Sequence, residues 1–142
     1  MANLIELAAE VGRTLQQRGL MLATAESCTG GGVAQAITEI AGSSEWFECG
    51  FVTYSNEAKM AMLKVPEETL ARHGAVSYET AQAMAQGAIA NSRATVALST
   101  TGIAGPGGAV PGKPVGMVCF GWALAEQVQV DHVIFSGDRH AV

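Results

Sequence analysis

Three short stretches of this sequence put nucleophilic, basic or backbone-donor groups where a strand gives way to a helix or a loop. The first is Ala25-Glu26-Ser27-Cys28-Thr29-Gly30-Gly31-Gly32, which follows a short apolar run. Ser27 falls at the carboxyl end of the expected strand, the edge at which open α/β sheets bind ligands. Amides at the start of the helix that follows have no helical partner and can hold a phosphate or a developing oxyanion. A plainer role fits the same letters: Ser27 or Thr29 caps the helix, and the glycines permit close packing. The string is neither GxSxG nor a P-loop, so neither of those labels transfers. Cys28 is a rival nucleophile, because a helix N-terminus lowers a thiol's pKa. Strand alternation gives it a different bearing from Ser27, and a small buried hydrophobe is the better reading.

A serine nucleophile needs a base. The only aspartates are Asp131 and Asp138, and the histidines are His73, His132 and His140. Nothing local joins them to Ser27 as a triad. Asp131, His132, Asp138 and His140 match no familiar ligand spacing, so a solvated hairpin end explains them better than a metal site does. The second stretch, Tyr54-Ser55-Asn56-Glu57-Ala58-Lys59, offers an alternative. Tyr54 closes a strand and Lys59 lies about one turn into the next helix. A lysine serves as a base only if burial or a neighbouring cation lowers its pKa from roughly 10.4 towards neutrality. A nearby tyrosine can relay or hold the proton. An exposed helix lysine beside a packing tyrosine accounts for the same letters. The third stretch, Ser99-Thr100-Thr101-Gly102-Ile103-Ala104-Gly105-Pro106-Gly107-Gly108, again follows a strand, and its glycines let backbone approach a ligand. Strand-end loops of this kind converge on one edge of a sheet.

The elements that must carry these residues are legible in the apolar pattern. Leu4, Ile5, Ala8, Val11 and Leu15 recur at helical spacing, and Gly19 ends the run. LMLATAE reads as a buried strand, and a helix is expected from about Ser27 to Ile40, stopped by Gly42. CGFVTYS reads as a strand and NEAKMAMLKV as a helix up to Pro66. Pro66 opens another short helix, and Ser77 caps TAQAMAQGAIANS. ATVALSTTG is an interior strand, and the Gly- and Pro-rich GIAGPGGAVPGKPVG is a loop. VGMVCFGWALA and QVQVDHVIFSG form an antiparallel hairpin turning near Glu126-Gln127. Early alternation of helix and strand, closed by a hairpin, predicts a three-layer α/β/α domain with a mixed sheet. No repeat or linker divides residues 1–142, so one domain is expected.

Composition narrows the function classes. Of 142 residues, 49% are hydrophobic and 15% charged, with a mean hydropathy of +0.24, which excludes disorder over most of the length. No apolar run approaches the ~20 residues of a membrane span, and the amphipathic start lacks a signal peptide's features, so a cytoplasmic protein is expected. Cys28, Cys49 and Cys119 contain no CxxC pair, which argues against a disulfide framework or a structural zinc site. A net charge of −5 and scattered basic residues argue against nucleic acid as a partner.

Taken together, TAESCTGG, FVTYSNEAK, TTGIAGPGG, KPVG and SGDR, in this order, resemble the CinA C-terminal domain family from about Leu4 to Val142. The family's stand-alone members are nicotinamide-nucleotide amidases. The resemblance implies hydrolysis of nicotinamide mononucleotide to nicotinate mononucleotide and ammonia, in pyridine-nucleotide salvage. It assigns the nucleophile to Ser27, the base to Lys59 and their close partner to Tyr54. It places Thr29, Gly30, Thr101 and Gly102 against the substrate and gives Arg139 the 5′-phosphate. Backbone amides near Cys28 to Gly30 are the implied oxyanion donors. No metal or cofactor is implied, the partner is the small nucleotide itself, and a homo-oligomer is compatible with the sequence. The family also implies one more helix after the SGDR block, whereas the sequence given ends at Val142. A reading from another class stays open: a regulatory module that binds a nucleotide through the same loops without chemistry.

Overall fold

The computed structural model describes residues 3–142. Its elements follow in the order α1 (Asn3–Gln17), β1 (Leu22–Glu26), α2 (Gly32–Thr38), a 3-10 turn (Ser43–Glu45), β2 (Phe47–Val52), α3 (Asn56–Leu63), α4 (Glu67–His73), α5 (Tyr78–Ala90), β3 (Val96–Gly102), β4 (Met117–Leu124) and β5 (Gln127–Ile134). The five strands form one sheet in the order β2-β1-β3-β4-β5. β1 runs parallel to both β2 and β3, while β4 and β5 are antiparallel additions. This is the mixed sheet and terminal hairpin that the apolar pattern predicts.

β1 is the centre of the fold. All five of its residues are buried, as a strand with parallel neighbours on both sides requires. Its side chains alternate between two cores. Ala23 and Ala25 join Leu63, Met84, Ala88 and Ala97 in the core beneath α3, α4 and α5. Leu22 joins Leu15, Ile37 and Trp46 in the core beneath α1 and α2. The layers lie close because the contacts are small. A Cβ on Gly87 of α5 would stand 2.1 Å from the Leu63 carbonyl of α3, and one on Gly121 of β4 would stand 2.6 Å from the Ala81 carbonyl. α5 thus sits backbone-close to both the sheet and α3.

Two serines cap helices, Ser77 as expected and Ser55 in addition, while Pro66 stands in the cap position of α4 rather than at the first helical position expected of it. Ser55 caps α3 by accepting from the Ala58 amide at 3.0 Å, and Ser77 caps α5 by accepting from Thr80 at 3.1 Å. At α2 neither Ser27 nor Thr29 is the cap. The helix begins only at Gly32, after Gly30 (φ 59°) and Gly31 (φ 101°) curl the chain through the left-handed region. The hairpin turns at Ala125-Glu126, one residue earlier than expected. The apolar stripe on α1 is only partly used: Ala8 and Leu15 are buried, but Leu4 and Ile5 stay more than half exposed. The helix is seated by its middle and second half, where Gly12 lies against the Trp46 indole.

Candidate active site

The chain leaves β1 towards β2 on one side and returns to β3 on the other. The carboxyl ends of β1 and β3 therefore flank a topological switch point, where a crevice opens in α/β sheets. A cavity of about 280 Å³ lies there, lined by Ser27, Cys28, Tyr54, Lys59, Thr101 and Arg139 among others. Larger depressions exist between α4 and α5 (650 Å³) and beside α1 and α2 (670 Å³), but neither is lined by Ser27 or Lys59.

Ser27 is the first residue after β1, and its amide extends the ladder by donating to the Thr100 carbonyl at 3.0 Å. Alternation turns it to the same side as Ala25, towards α3. Lys59 comes to meet it from the first turn of α3, and its Nζ donates to Ser27 Oγ at 3.0 Å and to the Tyr54 carbonyl at 3.1 Å. Ser27 Oγ lies 3.4 Å from that same carbonyl. Ser27 is 7% exposed and Lys59 1%. Burial lowers the Lys59 pKa, because the ammonium loses its hydration; the nearby Cys28 thiol opposes this more weakly. Burial pushes the Cys28 thiol up, with the Glu26 carboxylate adding to the rise and Lys59 opposing it. Desolvation therefore favours a neutral lysine and a neutral thiol.

Tyr54 reaches this pair through its backbone. Its side chain is 63% exposed, and the phenol accepts from Arg139 Nη2 at 2.9 Å. Arg139 Nη1 also donates to the Gly105 carbonyl, so the guanidinium spans the cavity mouth from β2's end to the Gly-rich loop. Of the two causes open for a lowered Lys59 pKa, burial is the one at work, and Arg139 stands at the rim. Thr101 is buried, and its hydroxyl donates to the Ala75 carbonyl at 2.8 Å, while Gly102 follows it along the cavity wall. The Thr29 hydroxyl and the Gly30 amide are engaged elsewhere: the hydroxyl contacts Glu26 Oε1 and Thr100 Oγ1, and the amide donates to the Ser27 carbonyl.

The residue that motif reading passes over is Glu26. It is fully buried, and its carboxylate accepts from the amides of Gly31, Val33 and Ala34 at 3.1, 3.0 and 2.9 Å. The start of α2 is thus occupied by a carboxylate of the same chain and is not an open anion site. A glutamate ending an apolar strand, six residues before a glycine-initiated helix, was the available signal. Among the described residues, the amides of Cys28 and Thr29 are the ones in this turn without an acceptor. The hairpin residues assemble nothing comparable: His132 Nδ1 meets the Tyr78 hydroxyl at 2.5 Å, Asp138 accepts from the Ala141 amide, and no cluster of three potential metal ligands occurs among the described residues.

The model of the CinA C-terminal domain matches residues 4–142. The chain belongs to that family. It is 55% identical over 142 residues to the nicotinamide-nucleotide amidohydrolase PncC of Escherichia coli K12, covering 99% of this chain and 86% of that protein. It is 47% identical to the protein of the same name from Pseudomonas putida, covering 89% of it. Among solved structures, the competence damage-inducible protein A of Klebsiella pneumoniae superposes with a TM-score of 0.94 at 43% identity, over 97% of this chain and 86% of that one. The sheet and helices described above are thus shared with that structure over nearly the whole of this chain. No helix among the described residues is long and apolar enough to cross a membrane.

Proposed function

We propose that this chain hydrolyses the carboxamide of nicotinamide mononucleotide, giving nicotinate mononucleotide and ammonia, through a serine nucleophile and a lysine base. The Escherichia coli and Pseudomonas putida relatives, both named nicotinamide-nucleotide amidohydrolases, support the reaction class. The observation that carries the mechanism is the buried contact of 3.0 Å between Lys59 Nζ and Ser27 Oγ. Neutral Lys59 takes the Ser27 proton as Oγ forms a bond to the carboxamide carbon, whose oxygen becomes an oxyanion. The Tyr54 carbonyl stabilises the ammonium that forms, since it already accepts from Nζ. Lys59 then returns the proton to the amide nitrogen, the C–N bond breaks, and ammonia leaves an acyl-Ser27 ester. A water, deprotonated by Lys59, adds to that ester, and Ser27 regains its proton as the acid departs.

The Cys28 amide, one residue after the nucleophile and without an acceptor, supports an oxyanion-donor role. Arg139 at the rim has further N–H donors for the 5′-phosphate beyond the two committed to Tyr54 and Gly105. The test is ammonia release from nicotinamide mononucleotide by the wild-type chain and by Ser27→Ala. Release by wild type alone supports the reading, and equal release by both defeats the serine assignment.

A further inference from the structure

Glu26 and Ser27 are consecutive, both buried, and face opposite sides of one strand. Ser27 turns towards Lys59 on α3. Glu26 turns towards α2 and collects four donors there: three backbone amides and the Thr29 hydroxyl, the last at 2.5 Å from Oε1. A desolvated carboxylate is tolerated when donors of this kind surround it. Its role exceeds that of an ordinary helix cap. The residue in the capping position is Gly31, which offers no side chain, and the carboxylate comes from five positions earlier at the end of the central strand. Residues 27–31 are therefore a closed loop, fixed at one end by β1 and at the other by the Glu26 side chain. A second tether joins the loop to β3, through Thr29 Oγ1 and Thr100 Oγ1 at 2.8 Å. Thr100 is also the register partner of Glu26.

We propose that Glu26 is a positioning residue for the reaction. By drawing the Thr29 hydroxyl and the start of α2 onto one carboxylate, it fixes the turn that aims Ser27 Oγ at Lys59. It also engages the Gly31 amide, leaving those of Cys28 and Thr29 without acceptors for use by a developing oxyanion. This inference rests on the amidase reading above. It separates alignment from binding, because Arg139 and Thr101 belong to other segments and keep their places when the loop relaxes.

Glu26→Gln is the informative substitution. Its carbonyl keeps the Oε1 contacts, but its NH2 then meets the Ala34 N–H, donor against donor. Expected for this variant is a folded protein whose kcat for nicotinamide mononucleotide falls at least about tenfold with KM within about threefold, the split left by a contact that matters only in the transition state. Thr29→Val, which removes one of the four donors, should lower kcat less, and the double variant should lose less than the product of the two single losses. Circular dichroism and thermal melting give the folded fraction. A folded Glu26→Gln with wild-type kcat overturns the proposal, and so does a loss of activity that only tracks the folded fraction. Should the wild-type chain release no ammonia, the amidase reading fails by itself. Hydrogen exchange at the Val33 and Ala34 amides then decides the tether: faster exchange in Glu26→Gln upholds it, and unchanged protection overturns it.

Discussion

The ends of β1 and β3 and the β4–β5 hairpin both carry ionisable side chains, and the fold treats them in opposite ways. At the strand ends Glu26, Ser27, Lys59, Thr100 and Thr101 are all buried, and each has a polar partner. On the hairpin and just beyond it, Asp131, His132, Asp138 and His140 are exposed; His132 meets the Tyr78 hydroxyl of α5, and Asp138 accepts from the Ala141 amide. The second group is open to water, whereas the first is enclosed by protein. Residue types usually associated with catalysis are richer on the hairpin. Desolvation and mutual geometry, not the inventory of histidines and aspartates, distinguish the site.

The comparison breaks most sharply at Ser27. Ser27→Ala should lower kcat/KM for ammonia release by at least about 10³-fold, as removal of a nucleophile does. Cys28→Ser should keep most of the activity, because its thiol is held neutral by burial. A dead but folded Cys28→Ser together with an active Ser27→Ala would move the nucleophile one residue along.

Lys59 comes next, with an expected loss of about 10²–10⁴-fold in Lys59→Ala. Lys59→Arg should fail comparably, since a guanidinium keeps its proton throughout the accessible range. The wild-type rate should climb with pH through the lowered lysine pKa, as the base loses its proton. Stability should climb in the same direction. Below the lowered pKa both folded and unfolded chains hold the proton, and the folded chain carries the full desolvation penalty. Between the lowered and ordinary values only the unfolded chain holds it, so the penalty fades as pH rises. Thermal melts at stepped pH, with Lys59→Met as the reference that lacks this charge, test the sign. A melting difference between the two proteins that does not narrow with rising pH would contradict a buried, depressed lysine.

A smaller effect is expected at the rim. If Arg139 holds the phosphate, kcat/KM should fall roughly ten- to hundredfold from the mononucleotide to the riboside, the worth of a charge-assisted contact. Arg139→Ala should erase most of that preference. Equal values for mononucleotide, riboside and free nicotinamide would remove phosphate recognition from the site.

The smallest effects belong to the hairpin. His132→Ala and Asp131→Asn should leave kcat/KM within about twofold and stability within about 0.5 kcal/mol, as exposed substitutions usually do. A large loss in either variant would dissolve the contrast drawn above.

Much of this arrangement is readable along the chain, because its causes are local. Alternation at β1 places Ser27 and Cys28 on different bearings, and the position of Lys59 after a strand-end tyrosine puts it one turn into α3. The Ser77 cap and the loop after β3 follow from turn chemistry in the same way. What escapes the sequence depends on atoms that residue types do not name. Tyr54 meets the lysine through a carbonyl that any residue would supply. Glu26 reads as the polar exit of a strand until α2 is laid over it, and Gly30 and Gly31 postpone that helix by conformations a propensity scale does not register. The apolar stripe of α1 overstates what is buried, because only where Gly12 meets Trp46 does the helix settle closely.

That last contact makes the protein its own optical probe. Of its two tryptophans, Trp46 is 2% exposed, with its indole lying where a side chain at position 12 would otherwise stand. Trp122 is 44% exposed on the outer part of the sheet. Under ultraviolet excitation the two should behave as separate fluorophores, one blue-shifted and shielded from iodide, the other red-shifted and readily quenched. Lifting of α1 from the sheet would transfer the first population into the second without any label, and a Trp122→Phe background would leave the movement of that single helix as the whole signal.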